Sequence, residues 1–373
     1  MNKIQYITYQ SFPSDKANTI QSMSNIKYFC RHIQNVELIF PKREKISSEN
    51  KDVLKKFYFI PDNLKIKAIK HNYPFGKINF LNKYSYLISH YLWAKQVTKD
   101  INLVDSNSMI FTRSDWIFYF FSKKGYSVTF ECHQLSKIRK IIIRKSIKYK
   151  NSKIIFLNSL LFKDSNIDSI KYKNKITILH NGVDTEIFEK DIQKNKNQII
   201  FLGNLSRFNE DRNIEFIIKC FEDKSVNKNF KLKIIGGSGD ELKKLKSYTE
   251  RLNTNKSVEV IERQSRTSSI LNLQKSDIGL LINSSKNLHS TKYTSPLKYF
   301  EYLFGGLKIL AVDFESHHDL PYAENIHFFQ QNNKESFLNA LKNINQGQTI
   351  NNKNLFKITL EFRIKQIITF MLT

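Results

Sequence analysis

The chain has 373 residues, 40% hydrophobic and 13% aromatic, with only 11 Gly and 6 Pro, so it can build sizeable cores and is neither a disordered nor a fibrous sequence. Its net charge of +26 lies mostly in the first half: residues 1–184 hold 32 Lys+Arg against 13 Asp+Glu, and residues 185–373 hold 28 against 21. Such an excess seeks phosphates, in nucleic acid, an anionic membrane or a charged substrate, while three scattered cysteines, Cys30, Cys132 and Cys220, exclude a disulfide scaffold or thiolate metal site and fit a reducing compartment.

The N-terminus opens on a strand pattern, 3–8, without a signal-peptide layout, and no apolar run approaches the roughly 18 residues of a membrane span. The expected location is the cytoplasm, at most on the inner face of the membrane. Further strands are expected at 36–40, 108–112, 126–131, 153–157 and 175–179, with helices at 18–33, 83–99, 136–149 and 159–169. Asn181-Gly182 reads as a turn with positive φ that closes this series. After residue 184 the alternation restarts. Strands are expected at 198–202, 231–236, 257–261, 278–282, 307–312 and 325–329, and helices at 212–223, 240–252, 266–275, 296–304 and 333–345. Two such series predict an α/β protein of two doubly wound Rossmann-like domains, 1–184 and 185–373. The helical pattern at 353–372 either stays on the second domain or crosses back to the first.

The most informative stretch is Thr294-Ser295-Pro296-Leu297-Lys298-Tyr299-Phe300-Glu301-Tyr302-Leu303-Phe304-Gly305-Gly306. Ser295 suits an N-cap and Pro296 the first helical position, and the two glycines end the helix. Free amides of Leu297 and Lys298 at the positive helix end form an anion site, to which Lys298 adds a charge suited to phosphate. Glu301 follows on the same face and can accept hydrogen bonds from a sugar diol. A phosphate with a diol below it describes a nucleoside diphosphate.

This stretch resembles the S-P-L-K-x-F-E-Y-x-A-x-G segment of the retaining glycosyltransferases of family 4, which have the GT-B fold: two Rossmann-like domains facing a central cleft. Ile199–Leu205, with Gly203, resembles the family's strand and glycine turn. Lys233–Gly239, with Gly236 and Gly237, resembles its second glycine-ended strand, and Ser276–Leu281 the strand before the donor helix. Ile178–Asp184 with Phe188 resembles the N-G-V-D-x-x-x-F motif, and Phe12–Asn18 a P-S-x-K-A-N variant. The resemblance implies donor contacts from Gly203, Gly236, Gly237, Ser295, Leu297 and Glu301. The first of the family's paired glutamates falls at Tyr293, the loop Arg at Asn204 and the diphosphate Lys at or near Arg212; Arg207 is a substitute for the missing charge.

In the first domain Glu131-Cys132-His133-Gln134 follows a strand, and the resemblance puts His133 near the transferred sugar. The stretch 136–150 holds seven basic residues and no acid, with Ile138, Ile141, Ile142, Ile143 and Ile147 as its buried face. Lys42, Arg43, Lys45, Lys51, Lys55 and Lys56 extend the basic surface. This charge suits an anionic membrane carrying a lipid-linked acceptor. No D-x-D and no clustered His or Cys ligands occur, so no cofactor or metal is expected, and Lys298, Arg212 and the helix end carry the charge on the leaving group.

The expected function is transfer of a sugar from a nucleotide-sugar to a glycan or lipid-linked acceptor in bacterial surface polysaccharide or lipopolysaccharide assembly. Competing readings are a nucleotide-sugar epimerase on the same architecture, a basic nucleic-acid binder, or a transferase that has lost turnover. The epimerase lacks a pattern of extra carboxylates, and the nucleic-acid binder lacks a basic stripe interleaved with exposed aromatics, so no nucleic-acid partner is expected.

Overall fold

The computed structural model describes residues 3–14, 16–42, 50–73, 85–100, 107–207, 210–344 and 352–373. Asp15, Arg43 and Lys45 fall outside these, as do the ends of the expected helices at 83 and 345. The chain forms two compact units, residues 1–179 with 360–373, and residues 180–359.

Unit 1 is built on seven strands: β1 (Lys3–Ile7), β2 (Asn35–Lys42), β3 (Leu64–Lys70), β4 (Met109–Thr112), β5 (Val128–Cys132), β6 (Ser152–Phe156) and β7 (Ile176–Ile178). Their order is β3-β2-β1-β4-β5-β6-β7, every pair parallel. Strand Val128–Cys132 is buried at every position, Thr129 and Glu131 included, as befits a sheet covered on both faces. Unit 2 contains β8 (Asn195–Leu202), the short antiparallel pair β9 (Ser206–Arg207) and β10 (Glu210–Asp211), then β11 (Lys231–Ile235), β12 (Val258–Ile261), β13 (Ser276–Leu281), β14 (Lys308–Val312) and β15 (Ile326–Phe329). Its parallel sheet runs β12-β11-β8-β13-β14-β15. Strand order reverses between β1 and β4 in unit 1 and between β8 and β13 in unit 2. Ligands of such sheets bind outside the carboxyl ends of the strands flanking that point.

The helix Leu360–Leu372 belongs to unit 1. Its Leu360, Ile364, Ile367 and Met371 complete the core formed by Ile4, Tyr6, Ile26 and Phe29, and Lys153 Nζ donates to the Phe370 and Met371 carbonyls at 2.8 and 3.2 Å. The expected divide after Asp184 compares with an observed one at 179/180. His180–Asp184 joins unit 2, where Val183 bridges Thr359 and Asn181 N–H donates to Ser295 Oγ at 3.0 Å. Neither Asn181 nor Gly182 has positive φ, contrary to the turn expected there; the segment is held instead by these contacts with Ser295 and Thr359.

Beyond the two-residue strands β9 and β10 and the four-residue helices Lys224–Asn227 and Glu315–His318, three longer elements escape the sequence reading: β3, the helix Lys51–Tyr58 capped by Asn50, and the helix Asp115–Lys123. The last reads Asp-Trp-Ile-Phe-Tyr-Phe-Phe-Ser-Lys, too uniformly apolar to show a helical period. Its cap is readable: Ser114 Oγ accepts from Ile117 N–H at 3.2 Å.

Part of the positive charge is used inside the fold. Lys153, Lys175 and Lys194 donate to carbonyls at the C-terminal ends of the helices Leu360–Leu372, Lys137–Ser146 and Leu297–Phe304, and Lys124 reaches the Thr98 carbonyl in the last turn of the helix Ser85–Lys99. Each cation meets the negative end of a helix dipole.

Candidate functional site

In unit 2 the switch point carries a bare backbone surface. β8 ends at Leu202, and Gly203 turns at φ +142° while its N–H donates to the Ile235 carbonyl at 3.0 Å. This draws the turn after β8 onto the turn after β11 so closely that a Cβ on Gly236 would stand 1.7 Å from Gly203 O. Gly237, at φ +70°, leaves room for Leu205, which a Cβ would meet at 2.5 Å.

Two cations converge on the open face of Gly203. A Cβ there would lie 2.9 Å from both Cε and Nζ of Lys298 and 3.5 Å from Nη1 of Arg212. Arg212 is set by its neighbours: the Asp211 carboxylate accepts the Asn213 N–H at 2.5 Å, and Asn213, at φ +68°, turns the chain into the helix Ile214–Cys220. Lys298 is the second residue of the helix Leu297–Phe304, whose first amides have no intrahelical acceptor. Two positive side chains, a glycine without a Cβ and a helix N-terminus together make a cradle for a polyanion of diphosphate size.

One feature of that helix differs from expectation. Pro296 is the cap residue and Leu297 the first helical one. Ser295 does not cap; its Oγ accepts from Asn181 N–H, and its carbonyl accepts from Asn181 Nδ2. A residue before proline is driven extended, which turns the Ser295 side chain away from the helix end.

Glu301, one turn below Lys298, is buried and its Oε1 accepts from Arg266 Nη2 at 2.5 Å. Burial pushes its carboxyl up, but Arg266 and Lys298 outweigh that and hold it below the ordinary carboxylate range. Arg266 opens the helix Arg266–Gln274, just past the carboxyl end of β12. Tyr302, next on the helix, lies against Gly279 of β13, where a Cβ would overlap its ring at 2.4 Å, and its hydroxyl lies 3.4 Å from Leu202 N. Helix Leu297–Phe304 is thereby seated on the sheet at the end of β8.

Lys298, Arg212, Gly203, Gly236 and Glu301 therefore gather in one place, with Leu297 at the helix start. Asn204 is exposed beside them, Arg207 contributes backbone to β9, and Tyr293 is buried. Arg266 is the group in this site that sequence reasoning missed; it follows β12 in a stretch, Glu262-Arg263-Gln264-Ser265-Arg266, that carries no glycine and no recognisable motif.

His133 lies in unit 1, just past β5, in a closed ionic network. Glu131 is fully buried; its Oε1 accepts from Arg363 Nη2 at 2.5 Å and its Oε2 lies 2.6 Å from His133 Nε2. Arg113 Nη2 donates to His133 Nδ1 at 2.6 Å. An arginine only donates, so Nδ1 accepts and the ring proton sits on Nε2, pointing at Glu131. Burial and then Arg113 push the His133 pKa down to about 3, against the pull of Glu131. Burial raises Glu131, and Arg363, His133 and Arg113 together outweigh it, leaving the carboxylate well below its ordinary range. Both ring nitrogens of His133 are thus engaged, and His133 is held neutral. Arg113 also ties the helix Ala17–His32 to the sheet through Asn18 O, Gln21 and Ser22. Arg113 and Arg363 were not singled out in the sequence, because neither stands in a recognisable motif.

The helix Lys137–Ser146 corrects another expectation. Ile142, Ile143 and Ile147 are buried, but Ile138 and Ile141 are 50% and 49% exposed. They border a groove of about 410 Å³ lined by Tyr91, Trp116, Tyr119 and Phe120 with Lys123 and Lys145. Helix Asp115–Lys123 supplies Trp116, Tyr119 and Phe120, and helix Ser85–Lys99 supplies Tyr91. Among the described residues no group of three His, Cys, Asp or Glu side chains could hold a metal ion, and no helix is long and apolar enough to cross a membrane.

Residues 183–288 match the family model described as glycosyl transferases group 1. No curated protein matches the chain in sequence. Solved structures match over its whole length at low identity. The lipopolysaccharide outer core galactosyltransferase WaaB in its apo form is 13% identical, with 99% of each chain covered and a TM-score of 0.65. The Anabaena protein Alr3699/HepE in complex with UDP and glucose is 12% identical, covering 100% of this chain and 98% of that one, with a TM-score of 0.60. The trehalose 6-phosphate synthase of Burkholderia multivorans is 9% identical, covering 100% and 98%, with a TM-score of 0.66. At these identities the likeness establishes the fold, GT-B.

Proposed function

We propose that the protein is a glycosyltransferase that takes a sugar from a nucleotide-sugar donor held by unit 2. The observation that carries this reading is the convergence of Lys298 and Arg212 over the bare face of Gly203, with the Glu301 carboxylate one helical turn below. That spacing suits a diphosphate above and a ribose diol beneath. The family match over residues 183–288 covers the segment that contains Gly203, Arg212, Gly236 and Arg266.

In this reaction the bond between the anomeric carbon and the diphosphate oxygen breaks as a bond to the acceptor oxygen forms, and the hydroxyl proton passes to the leaving diphosphate. Negative charge grows on that diphosphate in the transition state. Lys298, Arg212 and the amides at Leu297 and Lys298 are positioned to stabilise it, and this positive set takes the part of a metal ion. Retention of anomeric configuration rests on the family resemblance of the Ser295–Gly306 segment. A glycan or lipid-linked acceptor, and a place in surface polysaccharide or lipopolysaccharide assembly, rest on the basic first half; WaaB and WaaG are among the structural neighbours, beside sucrose and trehalose phosphate synthases.

The test is nucleotide binding. Thermal shift with UDP, GDP, ADP and CMP identifies the base, and hydrolysis of the matching nucleotide-sugars reports turnover. Glu301→Ala should then weaken the bound nucleotide about tenfold or more, since hydrogen bonds to a charged group contribute about 1.5–3 kcal/mol. Unchanged affinity would remove Glu301 from the site.

Unit 1 carries the surface for an anionic membrane at the cytoplasmic face. Exposed Ile138 and Ile141, the neighbouring Trp116 and Tyr119, and the basic residues of helix Lys137–Ser146 combine apolar insertion with positive charge. The expected result is sedimentation with anionic liposomes at low salt and release at high salt. Reversing Lys137, Arg144 and Lys148 to Glu should reduce it more than reversing Lys243, Lys244 and Lys246. Equal effects would assign the behaviour to bulk charge.

A further inference from the structure

Arg266 has no assigned part in nucleotide binding, yet it forms the strongest contact to the carboxylate proposed to hold the ribose. Its Nη2 donates to Glu301 Oε1 at 2.5 Å, and its side chain is 46% exposed while that of Glu301 is 5% exposed. One end of the pair is thus sealed in the protein and the other reaches solvent. Arg266 stands past the carboxyl end of β12, and the order β12-β11-β8 runs from there to the phosphate cradle at Gly203. Arg263 N–H donates to Gly237 O at 3.1 Å, which ties the β12 turn to the glycine turn of β11. The guanidinium is therefore part of the same ligand-binding edge, beyond Glu301 as seen from Lys298.

We propose that Arg266 and Glu301 together read a ribose hydroxyl in both directions, so that Arg266 determines the preference for ribonucleotides. A hydroxyl is one donor and two acceptor lone pairs. The carboxylate only accepts and the guanidinium only donates, so a hydroxyl placed against the pair gives its proton to Glu301 and receives one from Arg266. The guanidinium has five N–H donors, so its bond to Oε1 leaves others for the ligand, and the Glu301 carboxylate keeps Oε2 for the second hydroxyl of the diol. A deoxyribose that lacks this hydroxyl leaves one acceptor site on Glu301 and one donor on Arg266 unmet inside the site, the situation in which discrimination is strong. The inference rests on the reading of Glu301 as the ribose residue.

The experiment measures affinities of UDP, GDP and ADP and of their 2′-deoxy and 3′-deoxy forms by calorimetry, for the wild type, Arg266→Met, Arg266→Lys, Glu301→Gln and the double variant Arg266→Met/Glu301→Gln. The wild type should prefer the ribonucleotide over at least one deoxy form by about tenfold or more. Arg266→Met should reduce this preference to about threefold or less, and Arg266→Lys should restore part of it. The double variant, which leaves no unpaired buried carboxylate, should discriminate no better than Glu301→Gln alone. Arg266→Met that weakens ribo and deoxy forms equally, or keeps the full preference, would overturn the proposal and leave Arg266 as a neutralising partner of Glu301. A wild type without preference whose affinity is unmoved by Glu301→Gln would overturn the reading of Glu301 instead. If none of the nine compounds binds, the proposed function falls, and this inference with it.

Discussion

Gly236→Ala should unfold or severely weaken unit 2. The new methyl would stand 1.7 Å from the carbonyl oxygen of Gly203, a backbone atom that is itself anchored by the Gly203 N–H to Ile235 O bond. No rotamer change relieves a clash between two main chains, so the turns after β8 and β11 must separate. We expect a loss of about 4 kcal/mol or more, in the range where single substitutions are exceptional, read as a drop in the denaturant midpoint. Any folded remainder should bind nucleotide poorly, because Gly203 is the floor of the cradle. Gly239→Ala is the matched control. Gly239, unlike Gly236, has positive φ, +57°, but a Cβ there meets nothing within 4 Å, so its cost should be only the backbone term, about 1–2 kcal/mol. Equal losses at the two positions would mean that the two turns separate at little cost and the close approach does not require glycine at 236.

Arg363→Met should destabilise unit 1 by about 3–5 kcal/mol, the cost of removing one partner from a buried ion pair. Arg363 Nη2 and Glu131 Oε1 are 2.5 Å apart, with side chains 4% and 0% exposed. Adding Glu131→Gln to the variant should recover part of the loss, as the stranded charge is then gone. The pH dependence has a definite sign. His133, held at about 3, and His317, pushed down by burial to about 4, stay neutral in the folded protein but protonate near their ordinary value of 6.5 when unfolded. The unfolded state therefore binds more protons below pH 6.5, and wild-type stability should fall as pH drops from there towards 3. Glu131, depressed in the fold, adds a further loss below its ordinary value of 4.5. In Arg363→Met both His133 and Glu131 should titrate higher than in the wild type, since a cation facing each has been removed. Imidazole shifts in a two-dimensional NMR titration would show this directly, and unchanged titration of His133 would contradict the network.

The contrast between these two sites shows what a sequence exposes. The turns with Gly203, Gly236 and Gly237 and the helix from Leu297 were visible, because glycine and proline carry local backbone meaning that survives without a partner. Charged partners carry none. Glu301 finds Arg266 35 residues away, and Glu131 finds Arg363 232 residues away. In a chain with 60 basic residues, no property of an individual arginine distinguishes these two from solvated ones. The Ser295 cap failed for a similar reason: a competing acceptor role towards Asn181, 114 residues away, outweighed the local preference. Helix Asp115–Lys123 was hidden because its half-exposed face carries Trp116, Tyr119 and Phe120 and is as apolar as its buried one, which erased the periodicity that reveals a surface helix.

The place of the helix Leu360–Leu372 has a consequence for biogenesis. Unit 2 is one continuous stretch, 180–359, whereas unit 1 is discontinuous and takes its last core residues, Leu360, Ile364, Ile367 and Met371, from the far side of it. On a ribosome the first 179 residues emerge early, yet Glu131 has no Arg363 and the face over Ile4 and Phe29 stays uncovered until translation of this stretch is over. The later-made unit can therefore mature first, and the earlier-made one waits as an incomplete, apolar surface. Nascent chains halted before residue 360 should accordingly show protease-sensitive first halves and recruit chaperones, and release of the final helix should convert unit 1 to the resistant form.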